Sequence, residues 1–325
     1  MEYRRLGRSG LEVSTVVLGC MSFGPPDRGS HDWTLGLEES RPFFRAAIEA
    51  GVTTFDTANV YSAGGSEEIT GTLLNDLARR DEVVIATKVN GRMGSGPKGA
   101  GLSRAAILAQ LDDSLVRLRT DYVDLYQIHR FDPNVPIEET MEALDDVVRS
   151  GKVRYLGASS MWTWQFAQMQ HAADLNGWTR FVSMQNQYNL VMREEEREML
   201  PYCADQGVGV LPWSPLARGR LTRDWDATTG RSANDDFGST LYRQAEAADR
   251  RVAGAVAAIA GERGVSRAQV ALAWLLHKPA VTAPIVGATK PHHLSEAVAA
   301  VDLRLSDDEL ARLEADYVPR LPEGF

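Results

Sequence analysis

The chain has 325 residues, 44% hydrophobic and 24% charged, a balance that supports a sizeable buried core. Its 35 basic residues against 44 acidic ones give a net charge of −9, which excludes general affinity for nucleic acid or acidic membranes but leaves room for a local basic pocket. Two cysteines, Cys20 and Cys203, exclude a disulfide framework. The opening "MEYRRLGRSG" lacks a signal peptide's apolar segment, and no apolar run nears the ~20 residues that span a bilayer, so a cytoplasmic location is expected.

In chain order, "MEYRRLGRSGLEVS" reads as a hairpin turning at 7–10. Short apolar runs then predict strands near 15–19, 52–56, 82–88, 122–128, 153–157, 181–185, 208–213 and 283–287. Helices are predicted near 39–50, 66–79, 103–118, 137–150, 164–176, 193–206 and 244–277, the last broken around 261–264. Ser103 is placed to cap one helix, and Pro136 stands at the entry of another. Eight apolar strands separated by helices imply a parallel sheet covered by helices, and eight is the number that closes into a (β/α)8 TIM barrel. Residues 214–243 form a long loop after the seventh strand, and one domain is expected over 1–325.

In such a barrel the working residues sit at the carboxyl ends of the strands. Those ends read Asp56, Lys88, His129, Ser159, Gln185, Trp213 and Gly287. Lys88 is one of only five lysines and terminates the apolar "VVIAT", where a buried ammonium needs an anionic partner. Asp56 on the neighbouring strand is the natural counter-charge. Tyr61 follows in "VYSAGGSEE", close enough to fold back over the barrel mouth. An ammonium beside a phenol favours loss of its proton, so Tyr61 reads as a general acid, with His129 positioning the oxygen that accepts the proton.

The stretches "FDTANVYSAGGSEE", "IATKV", "YVDLYQIHR", "LPWSPLARGRL" and "PIVGATKPHHLSEA" together resemble the aldo-keto reductase superfamily over nearly the whole chain. Within it the chain is similar to the branch holding the potassium-channel beta subunits, and "LGCMSFGPPDRG", "ASSMWTWQFAQ" and "EEEREMLPYC" are similar to a bacterial YajO-like subgroup. The resemblance implies reduction of small-molecule aldehydes or ketones by NADPH (returned as NADP+), with Asp56, Tyr61, Lys88 and His129 as the catalytic tetrad. It implies that Ser159 and Gln185 hold the nicotinamide carboxamide and that Trp213 stacks on the ring. Gly19, Cys20 and Met21 would lie beneath it. The run Ser214, Pro215, Leu216 to Gly219 would hold the pyrophosphate. Gly287, Thr289, His293 and Glu296 would receive the adenosine, with Arg223 and Arg231 closing over its phosphate. The chain departs from many relatives at Ser160, His293 and Ala297. Met21, Tyr61, His129, Trp162 and Tyr188 are expected to wall the substrate pocket.

Four other signals bear on the reading. "GSGPKG" at 94–99 matches a dinucleotide fingerprint but has no strand directly before it and no helix directly after, and it reads as a loop. The adjacent His292 and His293 lack a third ligand, so no metal site is expected. Lys88 could instead form a Schiff base in a barrel enzyme of sugar-phosphate metabolism, and the channel-subunit resemblance allows a cofactor-sensing subunit.

Overall fold

Eight short strands form one all-parallel sheet in the computed structural model, which describes residues 1–29, 33–227, 240–242 and 244–322. A two-stranded hairpin comes first, β1 (Tyr3–Arg5) and β2 (Glu12–Ser14). The sheet comprises β3 (Val17–Gly19), β4 (Thr54–Asp56), β5 (Val84–Val89), β6 (Val123–Ile128), β7 (Val153–Ser159), β8 (Phe181–Gln185), β9 (Gly209–Val210) and β10 (Ile285–Gly287). Its order is β10-β3-β4-β5-β6-β7-β8-β9. The ends meet: the amides of Thr282 and Ile285 donate to the carbonyls of Val210 and Pro212, each at 2.9 Å. The sheet is thereby closed into a (β/α)8 barrel.

The crossover helices are α1 (Leu37–Glu49), α2 (Gly65–Leu77), α3 (Arg104–Leu118), α4 (Ile137–Arg149), α5 (Thr163–Asn176), α6 (Met199–Gln206), α7 (Glu246–Arg263) and α8 (Arg267–His277). Ser103 does cap α3, its side chain accepting from the Ala106 amide. Pro136 caps α4, where Glu138 and Glu139 complement the helix dipole and Met141, Leu144 and Val147 face the core.

Two expectations need correction. The helix predicted over 193–206 divides into a 3-10 turn, Glu194–Glu196, and α6, because Glu198 departs from helical geometry with φ −138°. The strand predicted over 208–213 is only two residues long, since Pro212 has no amide to give to a ladder. Two further helices follow β10, namely α9 (Pro291–Ala299) and α10 (Asp307–Glu314).

The interior is layered. Leu6, Leu11 and Val13 of the hairpin pack against Val17, Ala86, Leu125, Leu211, Ala283 and Ile285 inside the barrel. The hairpin is therefore an apolar floor. Gly7, at φ 61°, lies so close to the Gly207 carbonyl that a side chain there would collide with it. Side chains alternate along a strand, so the residue two beyond each floor residue also points inward. Ala86 is followed by Lys88, and Leu125 by Gln127 and then His129. Register aligns Lys88 with Gln127, Gln127 with Gly157 and Ser159 with Gln185. A polar layer thus sits above the apolar floor.

Candidate active site

At the heart of the polar layer, Lys88 is fully buried and its Nζ donates to Asp56 Oδ1 at 2.5 Å and to the Thr57 carbonyl at 2.8 Å. Asp56 is itself buried, and its other oxygen accepts from Gln127 Nε2 and Gln185 Nε2, each at 2.9 Å. Burial acts to lower the Lys88 pKa. The Asp56 carboxylate and the hydrogen bonds to Asp56 and Tyr61 more than offset it, leaving the pKa raised. Lys88 is therefore a held cation, which is the wrong state for a Schiff-base nucleophile.

The third oxygen near Lys88 Nζ is Tyr61 Oη, at 3.4 Å. Its loop earns that position through strain. Ser62 and Ala63 both have φ 48°, in the left-handed region that non-glycine residues enter at a cost of about 1–2 kcal/mol each. Gly64 follows at φ 90° before α2 begins. Arg28 pins this turn, donating to the Ala63 carbonyl at 2.8 Å and pairing with Glu68 at 2.7 Å. From below, Ser66 Oγ donates to the Cys20 carbonyl at 2.7 Å. The tyrosine ring is turned back over the barrel and meets the His129 ring edge-on, centroids 5.7 Å apart at 82°. Burial, then the charges of Lys88 and Arg130, hold His129 well below the ordinary histidine range, so the imidazole is neutral at physiological pH.

These groups face a cavity of about 910 Å³ at the carboxyl ends of the strands. Gly19, Met21, Asp56, Tyr61, His129, Ser159, Gln185 and Trp213 line it. So do Ser214, Pro215, Leu216, Gly219, Arg223, Gly287, Thr289, His293 and Glu296. The indole Nε1 of Trp213 donates to Ser160 Oγ at 2.9 Å, which fixes the ring plane. Ser160 therefore serves the tryptophan. Positive φ recurs at Ser214 (51°), Ala217 (47°), Arg218 (55°) and Gly219 (92°). Such turns direct backbone amides into a concavity suited to anions. Thr289 N donates to His293 Nδ1 at 3.3 Å.

Other expected site residues lie elsewhere. Lys88 stands behind the cavity wall. Cys20 is fully buried in a 3-10 turn, and burial pushes its thiol up to about 12, so it is an inert packing residue. Tyr188 is core: its hydroxyl donates to Glu196 at 2.5 Å and its ring lies 5.2 Å from that of Trp274. Trp162 is 44% exposed at the N-cap of α5 and is not part of the cavity lining. Arg231 falls outside the described residues.

Cavity residues that the sequence reading passed over include Trp33, Leu35, Arg130, Arg218, Arg267 and Lys290. Arg130 was visible as the neighbour of His129 in "QIHR". Arg267 pairs with Asp224 at 2.7 Å. It opens α8, whose cap Ser266 and third residue Gln269 form a readable capping box.

No helix among the described residues is long and apolar enough to cross a membrane. The chain matches the model of the aldo/keto reductase family over residues 15–317. It is 46% identical over 340 residues to the versiconal hemiacetal acetate reductase of Aspergillus parasiticus, covering 98% of each chain. It is 45% identical over 348 residues to aldo-keto reductase AMT2 of Alternaria alternata, covering 99% of this chain and 93% of that one. It is also 45% identical over 350 residues to aldo-keto reductase dtxS3 of Metarhizium robertsii, covering 100% and 93%. All three are fungal proteins, and they lend no support to a bacterial YajO-like or channel-subunit placement. With that length of match and that level of identity, the chain belongs to the aldo/keto reductase family.

Proposed function

We propose that the protein reduces aldehyde or ketone carbonyls to alcohols with NADPH, and that Tyr61 supplies the proton. The observation that carries this reading is the chain of contacts Asp56–Lys88–Tyr61, with steps of 2.5 and 3.4 Å, opening onto the cavity beside His129.

The donor set of the cavity fits a dinucleotide. One arm has two amide-bearing or hydroxyl side chains, Gln185 and Ser159, beside an immobilised indole, Trp213. The other arm has the left-handed run at 214–219, the N-terminus of α8 and the basic residues Arg218, Arg223, Arg267 and Lys290. Arginine and helix N-termini suit phosphate, and a 2′-phosphate in particular is matched by guanidinium. When bound, the cofactor would supply the hydride.

The chain's own residues do the rest. Trp213 and Gln185 would orient the ring so that one face opens toward Tyr61. His129, neutral and desolvated, would donate an N–H to the carbonyl oxygen and hold it near Tyr61 Oη. Tyr61 then passes its proton to that oxygen. The phenolate left behind lies against the Lys88 ammonium, whose neutralisation by Asp56 is already in place before the reaction. His129 favours catalysis over a cofactor-sensing role, because the resemblance to channel subunits implies a site without it. Motif likeness to the YajO-like subgroup remains part of this proposal only.

The test is direct. NADPH should quench tryptophan emission through Trp213, and a panel of aldehydes and ketones should consume NADPH. Tight NADPH binding with no turnover across the panel would leave a binding subunit and end the reductase reading.

A further inference from the structure

Arg130 follows His129 at the end of β6 and lines the same cavity. In the closed ring, β6 stands four strands from β10, the strand that leads into Gly287, Thr289 and His293. Arg130 is therefore on the opposite side of the mouth from the residues proposed for adenosine and its phosphates. It stands with Tyr61 and His129, where the carbonyl would react.

Its position is built. Arg130 Nη1 donates to the His129 carbonyl at 2.6 Å, which turns the side chain back along the strand end. The Arg130 carbonyl accepts from Asn90 Nδ2 at 2.7 Å. Asn90 has φ 140°, strained for a non-glycine residue, and is held there by a 2.7 Å bond from the Gly101 amide to its carbonyl. Strain just beyond β5 is thus spent on fixing the backbone of Arg130. Burial holds the guanidinium below the ordinary arginine range, so its charge acts in a poorly solvated place. Trp33, Leu35 and Met21 give the cavity apolar wall as well.

We propose that Arg130 recognises a carboxylate on the substrate, so that the preferred substrates are carbonyl compounds carrying an acidic group. A guanidinium presents five donors in a planar fork whose edges match a carboxylate. This inference rests on the reductase reading and goes beyond it by naming the substrate class.

The experiment compares kcat/KM, with NADPH, for 3- and 4-formylbenzoate against their methyl esters, which keep the aldehyde and remove the charge. Wild type should favour at least one acid over its ester by about 10- to 100-fold, the range of a hydrogen bond to a charged group. Arg130→Gln should collapse that ratio, and Arg130→Lys should restore part of it. A wild-type ratio near one, or a ratio that survives in Arg130→Gln, overturns the inference while ester turnover leaves the reductase reading standing. Failure of wild type to reduce acids and esters alike removes both.

Discussion

Two buried ion pairs in this molecule invite comparison. Lys88–Asp56 and Arg320–Asp249 both close to 2.5 Å, with side chains no more than 4% exposed. Arg320 meets Asp249 edge-on through two nitrogens, at 2.9 and 2.5 Å, so each charge is spent on the other. The pair fastens the C-terminal tail, where the Arg320 amide and the Tyr317 hydroxyl also donate to Glu194, at 2.9 and 2.6 Å. Lys88 instead shares its ammonium among Asp56, the Thr57 carbonyl and Tyr61, and the last of these opens on a cavity. A desolvated pair alone does not mark chemistry. What distinguishes the first pair is a third, titratable oxygen with access to a ligand.

The comparison can be broken by substitution. Tyr61→Phe deletes only that third oxygen; kcat should fall by about 10²- to 10⁴-fold, the usual worth of a general acid, with NADPH affinity retained. Full activity in this variant would erase the distinction between the pairs. Asp249→Ala leaves a guanidinium buried without its carboxylate and should cost about 3–5 kcal/mol in urea unfolding, while turnover per folded molecule stays unchanged. A loss of turnover would tie the tail to the site.

A buried acid outside both pairs sharpens the contrast. Burial, opposed by the side-chain amide of Asn186 and helped by the charge of Glu194, raises Glu195 to about 7. The folded protein then binds this proton more tightly than the unfolded chain does. The stabilisation is full below the unfolded value of about 4.5 and is lost as pH rises to about 7. Glu195→Gln should accordingly stabilise the protein by up to about 3 kcal/mol above pH ~7 and by little near pH ~4, read from Tm across pH. Equal gains at both ends would contradict the burial argument. The smallest effect belongs to Ser160→Ala, which frees the Trp213 indole; NADPH affinity, followed by emission quenching, should weaken by roughly 2- to 10-fold.

Much of the barrel is legible because inward-facing residues recur every second position, and charged or amide groups there interrupt otherwise apolar runs. Asp56, Lys88, Gln185 and His129 announce themselves in that way. The turn that aims Tyr61 does not, since nothing in Ser62 or Ala63 prefers left-handed backbone; tertiary contacts from Arg28 and Glu68 hold it. Tyr188 and Trp162 depart from expectation because strand-end proximity says nothing about side-chain direction once the chain has left the strand. The two last helices carry their own sequence signals: Pro291 stands at the first turn of α9, and Ser306 with Glu309 forms the capping box of α10.

The apolar floor laid by Leu6, Leu11 and Val13 has a consequence for traffic. Among the described residues the hairpin that bears them closes the base of the barrel, and the run at 214–219 and the start of α8 line the cavity at the other end. Two ligands sharing the cavity would therefore both enter from the end opposite the hairpin.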